Sequence, residues 1–289
     1  MAIKKILVTG ANGQLGWELS QLAKTLPAYE FIFLDRRQLD LAQPASFEAI
    51  IHTIAPDLII NTAAYTAVDK AETEKELANT INTIAVQTLA SIAKKNKIRF
   101  ITYSTDYVFN GQSTTPYLPE TKLAPINFYG QTKANGEQLA LQENPSSIII
   151  RTSWVFSSHG NNFVKTMMRL MKERAELKIV GDQLGRPTYA KDLAIATIQM
   201  VDALNAGKTI QGIYHYANQG ETTWYDFASA IKANAGLSCN IVAITTKEFP
   251  TPAIRPTYSV LATDKIENEL GIVIPSWEIA LKDCMQILS

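Results

Sequence analysis

A glycine-rich turn near the N-terminus constrains the fold more than any other feature of the sequence. In VTGANGQLGWELS, Gly10, Gly13 and Gly16 follow the apolar run KKILVT and precede a segment of helical period. Glycines at this spacing let the chain reverse tightly, let its backbone approach a pyrophosphate and let the helix pack closely on a sheet. The N-terminus of that helix would offer free N–H groups to phosphate. The turn therefore predicts a dinucleotide-binding βαβ unit.

Short apolar runs alternate with longer amphipathic segments through the first half of the chain. The runs are rich in Ile, Val and Leu without polar alternation, which is typical of parallel strands covered on both faces. Strands are predicted at 4–9, 29–34, 57–63, 98–104 and 146–156, with helices at 14–26, 76–95 and 128–142. Strand–helix–strand repetition predicts an α/β fold with a Rossmann-like, doubly wound parallel sheet.

The regular alternation ends near residue 155. Beyond it, helical, strand-like and proline-containing loop segments are mixed, and no repeat or flexible linker marks a boundary. We predict a dinucleotide-binding core over residues 1–155. Residues 156–289 are predicted to form mainly a smaller C-terminal substrate-binding lobe, interleaved with the core.

Composition excludes several classes of protein. The chain has 27 basic and 27 acidic residues, so no net field attracts nucleic acid or an anionic membrane. No segment is apolar enough to span a bilayer, and the chain enters its first strand without a signal-peptide pattern. Cys239 and Cys284 lie far apart in the sequence, and the histidines are scattered. We therefore expect a cytoplasmic protein with no structural disulfide and no bound metal.

Three polar side chains are expected to meet at the ligand-binding edge of the sheet. In FYGQTK, Tyr129 and Lys133 stand four residues apart at the start of a predicted helix, so they share one face. Thr105 follows the fourth predicted strand, and ligands bind at the carboxyl ends of such strands. A phenol held at that edge is a candidate general acid. A neighbouring ammonium should lower its pKa from about 10.

The end of the second predicted strand carries two opposing signals for the cofactor. Asp35 lies where an acid accepts hydrogen bonds from a ribose 2′-hydroxyl, which favours NAD. Arg36 and Arg37 follow directly, and arginine favours the 2′-phosphate of NADP. We expect NADPH to be the cofactor, with NADH also accepted.

The motifs together resemble a known family. The GxxGxxG turn, NTAAY at residues 61–65, STDYVF and YGQTK are similar to those of the extended short-chain dehydrogenase/reductases. With GQLGWEL, RTSWVF, GNNFVKTM, GRPT and TPAIRPTYS, the chain resembles the dTDP-4-dehydrorhamnose reductase family over residues 10–259. The resemblance implies reduction of the C4 ketone of dTDP-4-dehydro-β-L-rhamnose by a nicotinamide cofactor. It makes Thr105, Tyr129 and Lys133 the catalytic residues, with Lys133 also bonding the nicotinamide ribose.

The resemblance also implies the remaining site residues. The nucleotide-sugar is expected to contact residues beside the catalytic group and in the lobe: Thr105, Asp106, Tyr107, Trp154, Asn162, Arg186 and Arg255. Besides the three glycines, Asp35, Arg36, Tyr129 and Lys133, the cofactor is expected to contact Asn12, Gln14, Leu15, Asp40, Leu41, Ala63, Ala64 and Tyr65.

Two other functions stay open. The chain could be a sugar-nucleotide dehydratase or epimerase of the same superfamily. However, family dehydratases carry Thr-Asp-Glu, and here Tyr107 follows Asp106. It could also be a non-catalytic subunit resembling the regulatory subunit of methionine adenosyltransferase, which can keep the Tyr/Lys pair.

One family feature is expected to be absent. Some members join into dimers through glutamates and Mg²⁺, and Glu18 is compatible with this arrangement. Lys191, however, occupies a position where an acid is expected, and a protonated lysine cannot bind Mg²⁺. We therefore expect a monomer, or a homodimer without a magnesium bridge.

Overall fold

The predicted apolar runs form five neighbouring strands of one parallel sheet in the computed structural model, which describes residues 2–288. Among these residues, the strands are β1 (Lys5–Thr9), β2 (Glu30–Leu34), β3 (Leu58–Asn61), β4 (Arg99–Thr105), β5 (Ile148–Thr152), β6 (Val155–Phe156), β7 (Glu176–Val180), β8 (Leu184–Gly185), β9 (Thr188–Tyr189), β10 (Gly212–His215), β11 (Thr222–Thr223) and β12 (Asn240–Ile244). The central sheet has the order β10-β5-β4-β3-β1-β2, and each neighbouring pair is parallel. The predicted α/β class and Rossmann-like sheet are confirmed.

Helices cover both faces of this sheet. Those of the described residues are α1 (Gln14–Ala23), α2 (Phe47–Ile54), α3 (Lys75–Asn79), α4 (Ala85–Lys95), α5 (Phe128–Glu143), α6 (Phe163–Glu173), α7 (Ala190–Asn205), α8 (Trp224–Asn234), α9 (Asp264–Leu270) and α10 (Trp277–Leu288). Alternate residues of β1 show how the layers form: Ile6 and Val8 pack towards α1 and α7, whereas Leu7 packs towards α2, α4 and α5. Within residues 2–288, no helix combines the length and apolarity needed to cross a membrane.

The chain crosses to the other side of β1 after β2, so β1 lies between β2 and β3. Ligands of open α/β sheets bind where the strand order reverses in this way. Gly10 stands at the end of β1 with φ +72°, and a Cβ there would be 2.8 Å from the amide nitrogen of Ala63. Only glycine fits, because the loops after β1 and β3 are in backbone contact.

The sixth strand of the sheet was not predicted. β10 (GIYH) is short, polar at its end and lies at the sheet edge, where one strand neighbour is enough. It comes from the segment assigned to the lobe, as does α7, which packs on the core. The boundary at residue 155 stays a prediction. The second part of the chain thus supplies β10 to the central sheet and α7 to the helical layer that covers it.

The rest of that segment builds its own apolar cluster, the C-terminal lobe. The parallel pair β7–β12 packs with α6, α8 and α10 around Phe156, Phe227 and Trp277.

The predicted helix at 76–95 is interrupted by a wide turn. Residues Thr80–Ile84 form a π-helical segment between α3 and α4, a feature that often marks a functional site. Its Asn82 carbonyl faces α5 so closely that a Cβ on Gly136 would be 2.1 Å from that oxygen. The two helical segments therefore touch backbone to backbone.

Gly136→Ala tests this contact. The added methyl has nowhere to go because its neighbour is a carbonyl, so the unfolding free energy should fall by about 1–3 kcal/mol. Urea denaturation measures it. Gly181→Ala is the matched control, since its nearest neighbour would be the Ala243 Cβ at an ordinary 3.4 Å. Equal midpoints for both variants would contradict the close packing.

Candidate functional site

The glycine-rich loop forms an open cradle at the carboxyl ends of β1 and β3. Helix α1 starts at Gln14 after Gly13, and no side chain of residues 2–288 caps its first turn. The first N–H groups are thus available to an anion. A Cβ on Gly16 would lie 2.3 Å from the Gly10 carbonyl oxygen, so the helix packs directly on the loop. This cradle fits the diphosphate of a dinucleotide, as the sequence predicts.

The acid at the end of β2 is already paired. The Asp35 carboxylate accepts hydrogen bonds from Arg37 Nη2 at 2.8 Å and from the Arg37 amide at 2.9 Å. The Arg37 side chain lowers the pKa of Asp35. Both arginines extend into solvent, with 73% of the Arg36 side chain and 90% of the Arg37 side chain exposed. They differ in pairing, since Arg36 Nε lies 3.4 Å from Asp40 whereas Arg37 Nη2 lies 2.8 Å from Asp35. Arg36 therefore has the more weakly paired, and in that sense freer, guanidinium.

The other residues predicted at the cofactor follow the same strands. Asn12 lies in the loop after β1, with its amide 3.5 Å from the Asp35 carboxylate. Leu15 is buried in α1, Leu41 is buried after β2, and Ala63, Ala64 and Tyr65 follow β3. All of them lie at the carboxyl edge of the sheet.

Thr105, Tyr129 and Lys133 come together as the sequence predicts. Thr105 is the last residue of β4, and α5 begins beside it with Asn127 as its N-cap, accepting from the Gly130 amide at 2.8 Å. A Cβ on Gly130 would be 2.1 Å from the Tyr107 carbonyl oxygen, so α5 is held against the end of β4.

The electrostatics of the pair differ from the sequence prediction. Burial raises the pKa of the Tyr129 phenol, and the hydroxyl of Thr105 opposes this by hydrogen bonding. Lys133 Nζ donates to the Tyr103 carbonyl at 2.7 Å. The expectation that this ammonium lowers the pKa of the phenol is wrong for the ligand-free chain, because the ammonium is bound to the end of β4 and desolvation dominates. Burial also lowers the pKa of Lys133 to about 8, against the nearby Glu137 carboxylate.

Asp106 and Tyr107 pack beside this group. Thr105 Oγ1 donates to Asp106 Oδ1 at 2.9 Å, and burial raises the pKa of Asp106 to about 6. The Tyr107 ring meets the Tyr129 ring edge-on at 5.6 Å. Tyr107 is therefore an aromatic wall of the site.

A cavity of about 290 Å³ opens in the C-terminal lobe. Its walls are mainly apolar and aromatic, with a few polar groups: Phe163, Met167, Lys178, Ile179, Val180, Gln183, Trp224, Phe249, Thr251 and Arg255. Trp154 backs this wall, stacked on Trp224 with centroids 3.6 Å apart. Its backbone has φ 47°, which is rare for a tryptophan, and its ring covers Gly185.

The remaining predicted substrate residues already have protein partners. Arg255 Nη1 and Nη2 each donate to Asp69 at 2.8 Å, which joins the lobe to the loop after β3. Arg186 Nη1 donates to Gln219 and to the Leu261 carbonyl at 3.3 and 3.2 Å. Asn162 caps α6 and donates to Gln14 Oε1 at 2.9 Å. A residue predicted at the substrate thus touches the cofactor cradle.

Known proteins that are similar to this chain indicate the same function as the geometry of the site. The family model described as RmlD substrate binding domain matches residues 4–289. A dTDP-4-dehydrorhamnose reductase of Burkholderia thailandensis is 40% identical over 296 residues, covering 98% of this chain and 99% of the relative.

Two solved structures share the fold closely. A dTDP-4-dehydrorhamnose reductase of Clostridium acetobutylicum superposes with a TM-score of 0.93 at 39% identity, covering 98% of this chain and 99% of that one. The Bacillus anthracis enzyme, solved in complex with NADP, has a TM-score of 0.93 at 36% identity, covering 99% and 100%. The chain belongs to the dTDP-4-dehydrorhamnose reductase family. The resemblance seen in the sequence is confirmed, and with it the class of NAD(P)H-dependent oxidoreductases.

Several residues of the site were missed by sequence reasoning. Asp69 and Trp224 hold predicted residues in place, and the buried pair Glu137–Arg151 lies under Lys133. Glu137 could have been predicted from the sequence, because it stands one helical turn after Lys133 on the same face. Asp69 and Trp224 could not, because their partners are distant in the sequence.

Glu18, considered in the sequence for a metal-bridged dimer of the reductase family, faces inward. It is 4% exposed and accepts from Ser157 Oγ at 2.6 Å. Among residues 2–288, no group of three or more His, Cys, Asp or Glu side chains is arranged for a metal ion. In this structure the Glu18 carboxylate is therefore turned towards Ser157, and the absence of a magnesium bridge stays a prediction.

Paired alanine substitutions in the cradle separate packing from ligand approach. Gly16→Ala should lower the unfolding free energy by about 1–3 kcal/mol and weaken NADPH binding, because its Cβ overlaps the Gly10 carbonyl. Gly13→Ala meets only that carbonyl at 3.3 Å, so it should keep most of its stability and lose affinity for NADPH. Denaturation and fluorescence titration measure the two effects. Full NADPH affinity in both variants would contradict the prediction that the cofactor binds against this glycine-rich loop.

Proposed function

We propose that this chain reduces the C4 ketone of dTDP-4-dehydro-β-L-rhamnose to give dTDP-L-rhamnose, using NADPH. One observation carries the proposal: Thr105, Tyr129 and Lys133 converge at the same carboxyl edge of the sheet as the glycine cradle, in a chain of this reductase family. The residues present fit a dinucleotide, because the cradle excludes side chains and leaves the N-terminus of α1 uncapped. Bound there, the nicotinamide supplies the hydride.

Tyr129 is proposed as the proton donor. Hydride addition to the ketone carbon would leave negative charge on the carbonyl oxygen. The phenolic O–H bond of Tyr129 would break as its proton forms a new O–H bond with that oxygen, so the negative charge passes to the phenolate. Because burial raises the pKa of the phenol, Tyr129 keeps its proton at neutral pH until this charge develops. Thr105 orients the carbonyl, and Lys133 bonds the nicotinamide ribose.

The lobe cavity is proposed to hold the nucleotide part of the substrate. Aromatic walls such as Phe163 and Trp224 suit a base, and Arg255 at the same cavity suits the diphosphate. Trp154 backs the Trp224 wall, Asn162 caps the helix that carries Phe163, and Arg186 is proposed to contact the nucleotide-sugar. Asp106 and Tyr107 line the side near Tyr129.

The same site argues against dehydration. A dehydratase needs a second acid after Asp106, and Tyr107 packs there against Tyr129. A non-catalytic regulatory subunit would bind the cofactor without turnover. An assay with the keto-sugar nucleotide and NADPH separates these functions. We further propose that the chain works in the cytoplasm, as a monomer or a homodimer without a magnesium bridge.

Tyr129→Phe tests the proton donor. Only a hydroxyl is lost, so the fold and NADPH affinity should be retained while kcat falls by about 10²–10⁴-fold. Steady-state kinetics with the keto-sugar nucleotide and an NADPH titration measure both. Turnover close to that of the wild type would show that another group supplies the proton.

Arg36→Ala tests the cofactor preference. Arg36 is the freer arginine, so its loss should raise KM for NADPH by about tenfold or more and leave KM for NADH nearly unchanged. Arg37→Ala is the matched control, because it removes the same charge from a side chain bonded to Asp35. A wild-type preference for NADH that neither change alters would rule the assignment out.

A further inference from the structure

A buried ion pair lies under Lys133, on the side of α5 that faces the sheet. Arg151 and Glu137 are 1% and 3% exposed, and Arg151 Nε and Nη2 donate to the two carboxylate oxygens at 2.9 and 2.7 Å. Arg151 Nη1 also donates to the Pro119 carbonyl at 2.9 Å and lies 3.3 Å from His215 Nε2. The carboxylate is thus fixed in position by a bidentate contact.

Stability alone is a weak reason for this pair. Removing two charges from water costs several kcal/mol per ion, and well-packed apolar residues often replace such pairs without loss. The pair has a geometric consequence instead. Glu137 is one helical turn beyond Lys133, so a fixed negative charge lies on the face of α5 that carries the ammonium.

A small cavity connects the two groups. It measures about 10 Å³, close to the space of one water molecule, and Ser104, Lys133 and Glu137 line it together with Asn82 and Gly136. Ser104 Oγ is buried and has no hydrogen-bond partner among residues 2–288. Lys133 uses one of its three N–H donors on the Tyr103 carbonyl. One water in the cavity could therefore accept a hydrogen bond from Lys133 Nζ and donate to Ser104 Oγ and to the Glu137 carboxylate.

We propose that Glu137, fixed by Arg151, is a positioning residue that holds the Lys133 side chain as an ammonium, through one water bound at Ser104. The inference rests on the proposed function, in which Lys133 bonds the cofactor ribose beside Tyr129. It assigns a role to a carboxylate that does not touch substrate or cofactor.

The charges around Lys133 give the sign of the effect. Glu137 is the one charged partner of Lys133 among the residues that line the cavity; the other polar side chains there are neutral, namely Asn82 of the π turn and Thr102, Tyr103 and Ser104 of β4. Behind Glu137 lie Arg151 of β5 and, next to Arg151, His215 of β10. Tyr129 precedes Lys133 by one turn of α5, and Thr105 and Asp106 follow Ser104 in the chain. Burial lowers the pKa of Lys133 and the carboxylate of Glu137 raises it. Loss of that negative charge lowers the pKa further, so the ammonium would be lost at a lower pH.

The pH profile of kcat tests this, with wild type, Glu137→Gln and Glu137→Asp. Glu137→Gln keeps the shape and loses the charge, so the alkaline limb should move down by about 1 pH unit or more. Glu137→Asp keeps the charge but breaks the bidentate geometry, so it should lose stability while its limb stays near that of the wild type. Ser104→Ala should move the limb in the same direction as Glu137→Gln, by less.

Glu143→Gln is the matched control. Glu143 is on the same helix, accepts from Gln87 Nε2 at 2.9 Å and lies nearly three turns beyond Lys133. The alkaline limb of the kcat profile of Glu143→Gln should coincide with that of the wild type. Because Glu137→Gln leaves Arg151 buried without its counter-ion, Glu137→Gln/Arg151→Gln provides a second variant with no unpaired charge, and thermal denaturation checks both folds.

Two results would overturn the inference. The first is an alkaline limb of the kcat profile at the wild-type pH in folded Glu137→Gln or in the double variant. The second is an alkaline limb that shifts equally in Glu137→Gln and Glu137→Asp. A wild-type chain without turnover would instead refute the proposed function. In that case the pH dependence of NADPH affinity in the same variants tests Glu137, since Lys133 acts on the cofactor. There too, affinity should be lost at lower pH in Glu137→Gln than in Glu137→Asp.

Discussion

The close backbone approach of α5 to its neighbours is the constraint on which the site depends. At Gly130 the helix meets the Tyr107 carbonyl, and at Gly136 it meets the Asn82 carbonyl of the π turn; a Cβ at either position would be 2.1 Å from oxygen. Contacts this short leave the helix no freedom to slide or rotate. The phenol of Tyr129 and the ammonium of Lys133 are consequently held at the end of β4, where Thr105 is.

The same tight packing decides the electrostatics. The phenol, the ammonium and the Glu137–Arg151 pair are nearly excluded from water, so desolvation is the largest influence on the pKa of both Tyr129 and Lys133. A low local dielectric strengthens each remaining charge interaction. A phenol that keeps its proton suits a reaction in which negative charge appears on a ketone oxygen.

Contacts between the two parts of the chain bring the cofactor cradle and the lobe cavity into one unit. Asn162, at the start of α6, is bonded to Gln14 of the cradle, and Arg255 is bonded to Asp69 after β3. Residue Phe163, next to Asn162, lines the cavity. A ligand in the cavity therefore touches the helix whose N-cap residue contacts the cradle.

The sequence by itself determined five strands of the sheet, the glycine-rich turn and the shared helical face of Tyr129 and Lys133, because each depends on local periodicity or on spacing along a single element. Tyr129 and Lys133 share a face through helical geometry alone, and apolar runs such as 148–150 must be buried. Only the tertiary structure decided that β10 joins the sheet and that the pKa of Tyr129 is raised. It also decided the partners of Asp35, Glu18 and Arg255. These depend on which distant groups meet and on how much water they exclude, and neither quantity is encoded in spacing along the chain.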